Sequence, residues 1–246
     1  NHAESLTADD ITLYRIANDV EIISEFECSD KDLNRLHKIA VNTMLNNFQG
    51  KPTDTPVWEK NGWLGDANCA LDTMMYNFGM DSFMQSFVDT MADCLHEYGS
   101  VPVIVPSADW GVENSPVWNT IFVFAPLALY DYFGNEDYLA RLYPDLRAFA
   151  LNDIDELRKL GNTWGTRGLS DWVAPSDDEE SDVFCDPSEG AEICCTAYIY
   201  EMLISFICFI ARTDIINMEN HSDTKWQIRT RFFISKKTNI KVNDKR

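Results

Sequence analysis

With 246 residues, 45% of them hydrophobic and 24% charged, the chain has the size of one large domain or two small ones and the make-up of an ordinary globular protein. A formal net charge of −20 excludes nucleic acid and anionic lipid as partners, since phosphate binding needs clustered Lys and Arg. No unbroken apolar run reaches the roughly 18 residues that a membrane span needs, so no membrane association is expected either.

In chain order, Ile11, Leu13 and Ile16, a polar turn at Asn18-Asp19, and then Val20, Ile22, Ile23 and Phe26 predict two short strands. Residues 1–28 are therefore expected to be a β segment, the remnant of a preceding sheet domain, because two strands alone are not stable. Ser29-Asp30-Lys31-Asp32 is a near capping box and starts a helix carrying Leu33, Leu36, Ala40, Met44, Leu45 and Phe48 at helical spacing. Gly50 and Pro52 end it. Residues 51–66 form a polar loop. A second helix follows with Ala67, Ala70, Leu71, Met74, Met75 and Phe78 on one face, and Gly79 closes it. A third is predicted over 81–98, with Gly99 just past its end.

A Pro-rich loop over 100–116 holds Asp109, Trp110 and Glu113. The fourth helix, 117–133, is apolar on most sides, which predicts burial on both faces. Pro126 is expected to kink it, and Pro144 to bend or break the fifth, 136–160. A long loop over 161–189 carries an acid run from Asp177 to Asp182. The sixth helix spans 191–210. The apolar stretch Met202 to Ala211, interrupted by Ser205, reads as a buried helix. Six helices joined by loops of uneven length predict stacked helical hairpins over 29–212 rather than a simple bundle. From Thr224 onward Lys225, Arg229, Arg231, Lys236, Lys237, Lys241, Lys245 and Arg246 face only Asp244, so residues 213–246 are set apart as an atypical basic tail.

Seven cysteines, an odd number without a C-x-x-C pair, predict free buried thiols in a reducing compartment. The start Asn1-His2-Ala3-Glu4 has no signal pattern, so a cytoplasmic protein is expected, with a secreted one whose leader has been removed kept open. His2, His37, His96 and His221 lack metal-ligand spacing; neither a metal nor another cofactor is expected.

The chemistry concentrates in 51–66, which offers Asp54, Trp58, Glu59, Trp63 and Asp66 between two helices. Sugar sites use these types: carboxylates take hydrogen bonds from hydroxyls, and indole faces cover the C–H face of a pyranose. Glycoside hydrolysis needs one carboxylic acid to protonate the leaving oxygen and a second carboxylate to activate water or attack. Trp58 beside Glu59 and a nearby Asp66 would raise the Glu59 pKa, as a general acid requires. The plainer alternative is a surface loop anchored to the core by two tryptophans.

The stretch Asp54-Thr55-Pro56-Val57-Trp58-Glu59-Lys60-Asn61-Gly62-Trp63-Leu64-Gly65-Asp66 resembles that of the inverting, helical-barrel α-L-rhamnosidases, which carry D-x-P, a Glu, then G-W-x-G-D. Ser107-Ala108-Asp109-Trp110, Ser115-Pro116-Val117-Trp118, the run Ala125 to Asn135, and Leu169-Ser170-Asp171-Trp172 are also similar to family segments. The likeness covers residues 15 to 212. It implies a mainly α fold, an (α/α)6 six-hairpin toroid preceded by a short β segment, of which about half the ring is expected here. It implies a glycoside hydrolase that removes terminal α-L-rhamnose with inversion, and L-rhamnosides as the carbohydrate partner. Glu59 takes the general-acid role, Asp54 and Asp66 hold rhamnose hydroxyls, Trp63 lines the pocket, and Trp118, Asp171 and Trp172 complete it. Where many members have an Arg directly before or close to the Glu, this chain has Trp58, so any ion pair with that Arg is lost.

No motif matches the family's general base; Glu113, Asp171, Glu189 and Glu192 are the loop-side acids open to the role. A half ring would expose apolar faces, which predicts self-association or marginal stability. Two other readings are a non-catalytic sugar-binding or remnant protein of the same fold, and another (α/α)6 glycosidase.

Overall fold

The computed structural model describes residues 7–107, 109–165, 168–169 and 191–212. After a 3-10 turn at Ala8–Asp10 come α1 (Lys31–Asn47), α2 (Leu64–Asn77), α3 (Asp81–Tyr98), α4 (Pro116–Asn119), α5 (Ile121–Phe133), α6 (Glu136–Lys159) and α7 (Ala191–Arg212). The mainly helical architecture is as the sequence predicts. The acid run 177–182 and the basic tail lie outside the described residues.

The termini follow local chemistry. Asp30, one residue later than the predicted Ser29, caps α1: its carboxylate accepts from the N–H groups of Asp32 and Leu33 at 2.8 and 3.2 Å. Asp81–Tyr98 forms as predicted, and Gly99 ends it with φ 72°. Helix α2 starts earlier than expected, so Asp66 sits in its first turn rather than in a loop. The expected fourth helix is two pieces, α4 with Pro116 in its first turn and α5 after Thr120. The break expected at Pro144 does not occur; α6 runs through it. An interior proline, through its missing hydrogen bond and its ring clash together, costs about 3 kcal/mol, less than the burial of Tyr138, Leu139, Leu142, Tyr143, Leu146 and Phe149 supplies.

Helix α5 is the hub. It touches α2, α3, α6 and α7, while α4 links α2 to α7. Its all-round apolar character is thereby explained: Ile121, Phe122, Val123, Ala125 and Leu129 are fully buried. Helices α3 and α6 meet through Arg141–Asp89 at 2.9 Å and His96–Asp145 at 2.8 Å. Helix α7 buries Cys195, Ile199, Met202, Phe206 and Phe209. By length and composition Glu192–Ala211 is long and apolar enough to cross a membrane, while Glu201 keeps it from being an unbroken apolar run.

The two strands predicted over 11–27 do not form, and no strand occurs among the described residues. The segment meets the α2–α3 junction instead. Ile22 makes a single antiparallel bridge to Phe78, Ile23 N–H donates to the Asn77 carbonyl at 2.9 Å, and Gly79 N–H donates to the Glu21 carbonyl at 2.9 Å. A helix end offers only these few free groups, so pairing stops there. Ser24 and His37 both bond Asn77 Oδ1, at 2.7 and 3.0 Å. Large apolar side chains are exposed at Leu13 and Ile16 in the N-terminal segment, at Leu33, Leu36 and Ile39 on α1 and at Ile193 on α7. Cys28, Cys69, Cys94, Cys194 and Cys195 are free thiols; Cys69 is exposed rather than buried as predicted, and Cys185 lies outside the described residues.

Candidate active site

The loop from Phe48 to Trp63 is shaped by its own backbone. Asp54 and Asn61 clasp it: Asp54 N–H donates to the Asn61 carbonyl at 3.0 Å, and Asn61 N–H donates to Asp54 Oδ1 at 2.8 Å. The Thr55 hydroxyl bonds Asp54 Oδ2 at 3.2 Å and accepts from Glu59 N–H at 3.2 Å. Lys60, at φ 57°, then turns the chain back.

That turn decides which indole meets Glu59. Trp63 Nε1–H donates to Glu59 Oε2 at 2.7 Å. Trp58, the chain neighbour expected to wall in the carboxyl, is 84% exposed and does not desolvate it. Trp63 is further fixed by the edge of Trp110, with ring centroids 6.0 Å apart at 87°. Sequence reading placed Trp110 in a loop and in a segment similar to the family, but gave it no role in the site.

Residues 62–64 are pinned to the strand-like stretch 103–105. Val105 N–H donates to the Gly62 carbonyl at 2.9 Å, and Leu64 N–H donates to the Val103 carbonyl at 2.8 Å. Trp63 bridges Ile104 between them. Both motif glycines are places of close approach. A Cβ on Gly62 would lie 1.9 Å from the Val105 carbonyl oxygen, and one on Gly65 would lie 2.3 Å from Trp118 Cε2. Trp118, read from sequence as a pocket residue, is 7% exposed and seated under the start of α2.

Asp66 stands in the first turn of α2, near Asp54 and Glu59. Partial burial pushes its carboxyl above the ordinary range, its own backbone N–H opposes this, and the charges of Asp54 and Glu59 add to the rise. Asp54, Asp66, Asn47, Thr53, Cys69 and Met74 line one side of an adjoining open cavity of about 360 Å³. The structure thus brings Asp54, Glu59, Trp63 and Asp66 together, with Trp110 added and Trp118 beneath. Asp171, Trp172 and Glu189 lie outside the described residues. Glu113 is an exposed loop residue, and Glu192 occupies the first turn of α7. Among the described residues, no group of three or more His, Cys, Asp or Glu is arranged to hold a metal ion.

Helices packed about the apolar α5, with Asp54, Glu59, Asp66, Trp63 and Trp110 clustered around the start of α2, give a scaffold of helical hairpins. The chain belongs to the bacterial alpha-L-rhamnosidase six-hairpin glycosidase domain family, which it matches over residues 21–213. It is 30% identical over 212 residues to an alpha-L-rhamnosidase of Formosa agariphila, a match covering 80% of this chain and 21% of that protein. Among solved structures it is similar to the Streptomyces avermitilis alpha-L-rhamnosidase complexed with L-rhamnose, with TM-score 0.68 and 25% identity over 80% of this chain and 18% of that one. The alpha-L-rhamnosidase from Dictyoglumus thermophilum gives TM-score 0.67 and 25% identity over 77% of this chain and 21% of that one. The chain spans about a fifth of the length of the relatives it matches.

Proposed function

We propose that this chain carries the general-acid side of an α-L-rhamnosidase site, with Glu59 as the acid of an inverting hydrolysis. The observation that carries the reading is the Trp63–Glu59 hydrogen bond. It occupies Oε2 and leaves Oε1 to hold the proton that goes to the glycosidic oxygen as the C–O bond breaks.

Family membership and the clustering of Asp54, Trp63 and Asp66 support the substrate assignment. The Asp54 oxygens each take one bond within the loop, and each keeps a lone pair for a sugar hydroxyl. Trp63, braced by Trp110, offers an indole face to the pyranose. Asp66, with its raised pKa, is a second carboxyl for the hydroxyls. Inversion also needs a carboxylate that activates water, roughly 6.5–9.5 Å from the acid. None is assigned among these residues.

The test is hydrolysis of an aryl α-L-rhamnoside by the parent and by Glu59→Gln. Aglycone released by the parent and not by the variant supports the reading. A folded parent that binds L-rhamnose and releases nothing favours the non-catalytic sugar-binding alternative.

A further inference from the structure

Between α6 and the connection leading to α4 lies a buried polar junction with no part in the chemistry above. Asp153 on α6 is 0% exposed. Asn114, in the connection leading to α4, donates Nδ2–H to Asp153 Oδ1 at 3.0 Å. The remaining oxygens of the pair, Asp153 Oδ2 and Asn114 Oδ1, are both buried without a hydrogen-bond partner among the described residues. Two acceptors on residues already joined by one hydrogen bond cannot satisfy each other without a proton, and buried acceptors are costly to leave unpaired. A single proton on Oδ2 resolves both.

We propose that Asp153 is held as a neutral carboxylic acid that donates from Oδ2 to Asn114 Oδ1, closing a two-bond acid–amide ring that latches the site's supporting loops to α6. Burial agrees with this assignment, pushing the Asp153 carboxyl up to about 7 against the pull of the Asn114 bond, and Glu156 on the same helix adds to the rise. From α7, the Cys195 thiol is the titratable group that feels Asp153. The 114–115 segment presents an amide and a hydroxyl, and no Lys or Arg pairs with Asp153 among the described residues.

The ring sits where the loops converge. Next to Asn114, the Ser115 hydroxyl accepts from Leu169 N–H at 2.8 Å and donates to the Leu169 carbonyl at 3.1 Å. Upstream of Asn114, Gly111 accepts from Val103 N–H at 2.8 Å, and Trp110 edges onto Trp63. One acid thereby fastens the connection that braces Trp63 and, through Ser115, the backbone of Leu169. The inference rests on the functional reading only in taking these as substrate loops.

Isotope-edited infrared spectroscopy of the intact chain, with carboxyl-labelled aspartate, reads the proton without any assay of activity. The expected result is a protonated-carboxyl band that is lost on raising the pH through about 7 and is absent from Asp153→Asn. Asn114→Leu removes the amide partner and should shift that band. Stability gives a second readout. An acid with a raised folded pKa stabilises fully below its unfolded value near 4, and that contribution is lost as pH rises through the folded value near 7. Asp153→Asn keeps both hydrogen bonds at every pH, so its stability advantage over the parent should grow over that interval and then level. No protonated band below pH 7, a band unmoved in Asn114→Leu, or a pH-independent gap overturns the latch, whatever the outcome with rhamnosides.

Discussion

Trp63 and Glu59 are joined indole to carboxylate across 2.7 Å, so the side chain read as the acid is oriented by a residue four positions later rather than by its chain neighbour Trp58. Trp63→Phe keeps the ring and removes the donor. A hydrogen bond of this kind contributes about 0.5–1.5 kcal/mol, so turnover should fall by up to roughly tenfold with the melting temperature little changed. Steady-state kinetics and a melting curve on one preparation separate the two effects.

Gly65 has no room for a side chain, because Trp118 occupies the space. Gly65→Ala forces the indole or the start of α2 to move, and overpacking of this kind costs about 1–3 kcal/mol. Urea denaturation should show a lower midpoint. An unchanged midpoint would mean that Trp118 is free to shift.

Asn77 gathers the N-terminal segment, through Ser24, and α1, through His37, onto the end of α2. Asn77→Ala strands both partners and should cost about 1–3 kcal/mol. Hydrogen exchange at the Ile23 and Gly79 amides should quicken, since their bonds to the Asn77 and Glu21 carbonyls depend on the same contact.

The His96–Asp145 pair between α3 and α6 raises the histidine pKa, chiefly through the hydrogen bond and then through the aspartate charge. A raised folded value means stability present below the unfolded value near 6.5 and lost as pH rises through the folded one. The pair is exposed, so the contribution is under about 1 kcal/mol and weakens with salt. His96→Ala should remove that increment from the pH–stability profile and leave the rest unchanged.

Much of the scaffold is legible in the sequence because periodic apolar faces and caps are local signals. Helix α3 follows from Phe83, Phe87, Met91 and Leu95 and from Gly99 at its end. The strands expected over 11–27 fail because alternation does not reveal whether a partner strand exists, and this segment meets a helix end. Pro144 does not break α6 because the cost of an interior proline is local while the burial that outweighs it is tertiary. At the site, Asp54, Glu59, Trp63 and Asp66 are marked by the resemblance of their stretch to the family motif, and the structure brings them together. The wall around Glu59 was not legible: the left-handed Lys60 turns Trp58 outward and Trp63 inward. Nor was the reason for Gly62 and Gly65, whose crowding partners Val105 and Trp118 lie far along the chain.

The central claim, that Glu59 protonates the leaving group, is tested most directly by leaving-group dependence. Glu59→Gln and the parent would be compared on a series of aryl α-L-rhamnosides of decreasing phenol pKa. A general acid matters least where the phenolate leaves unaided, so the deficit of the variant should shrink steadily toward the best leaving group. An equal deficit across the series would contradict the assignment and make Glu59 a binding residue.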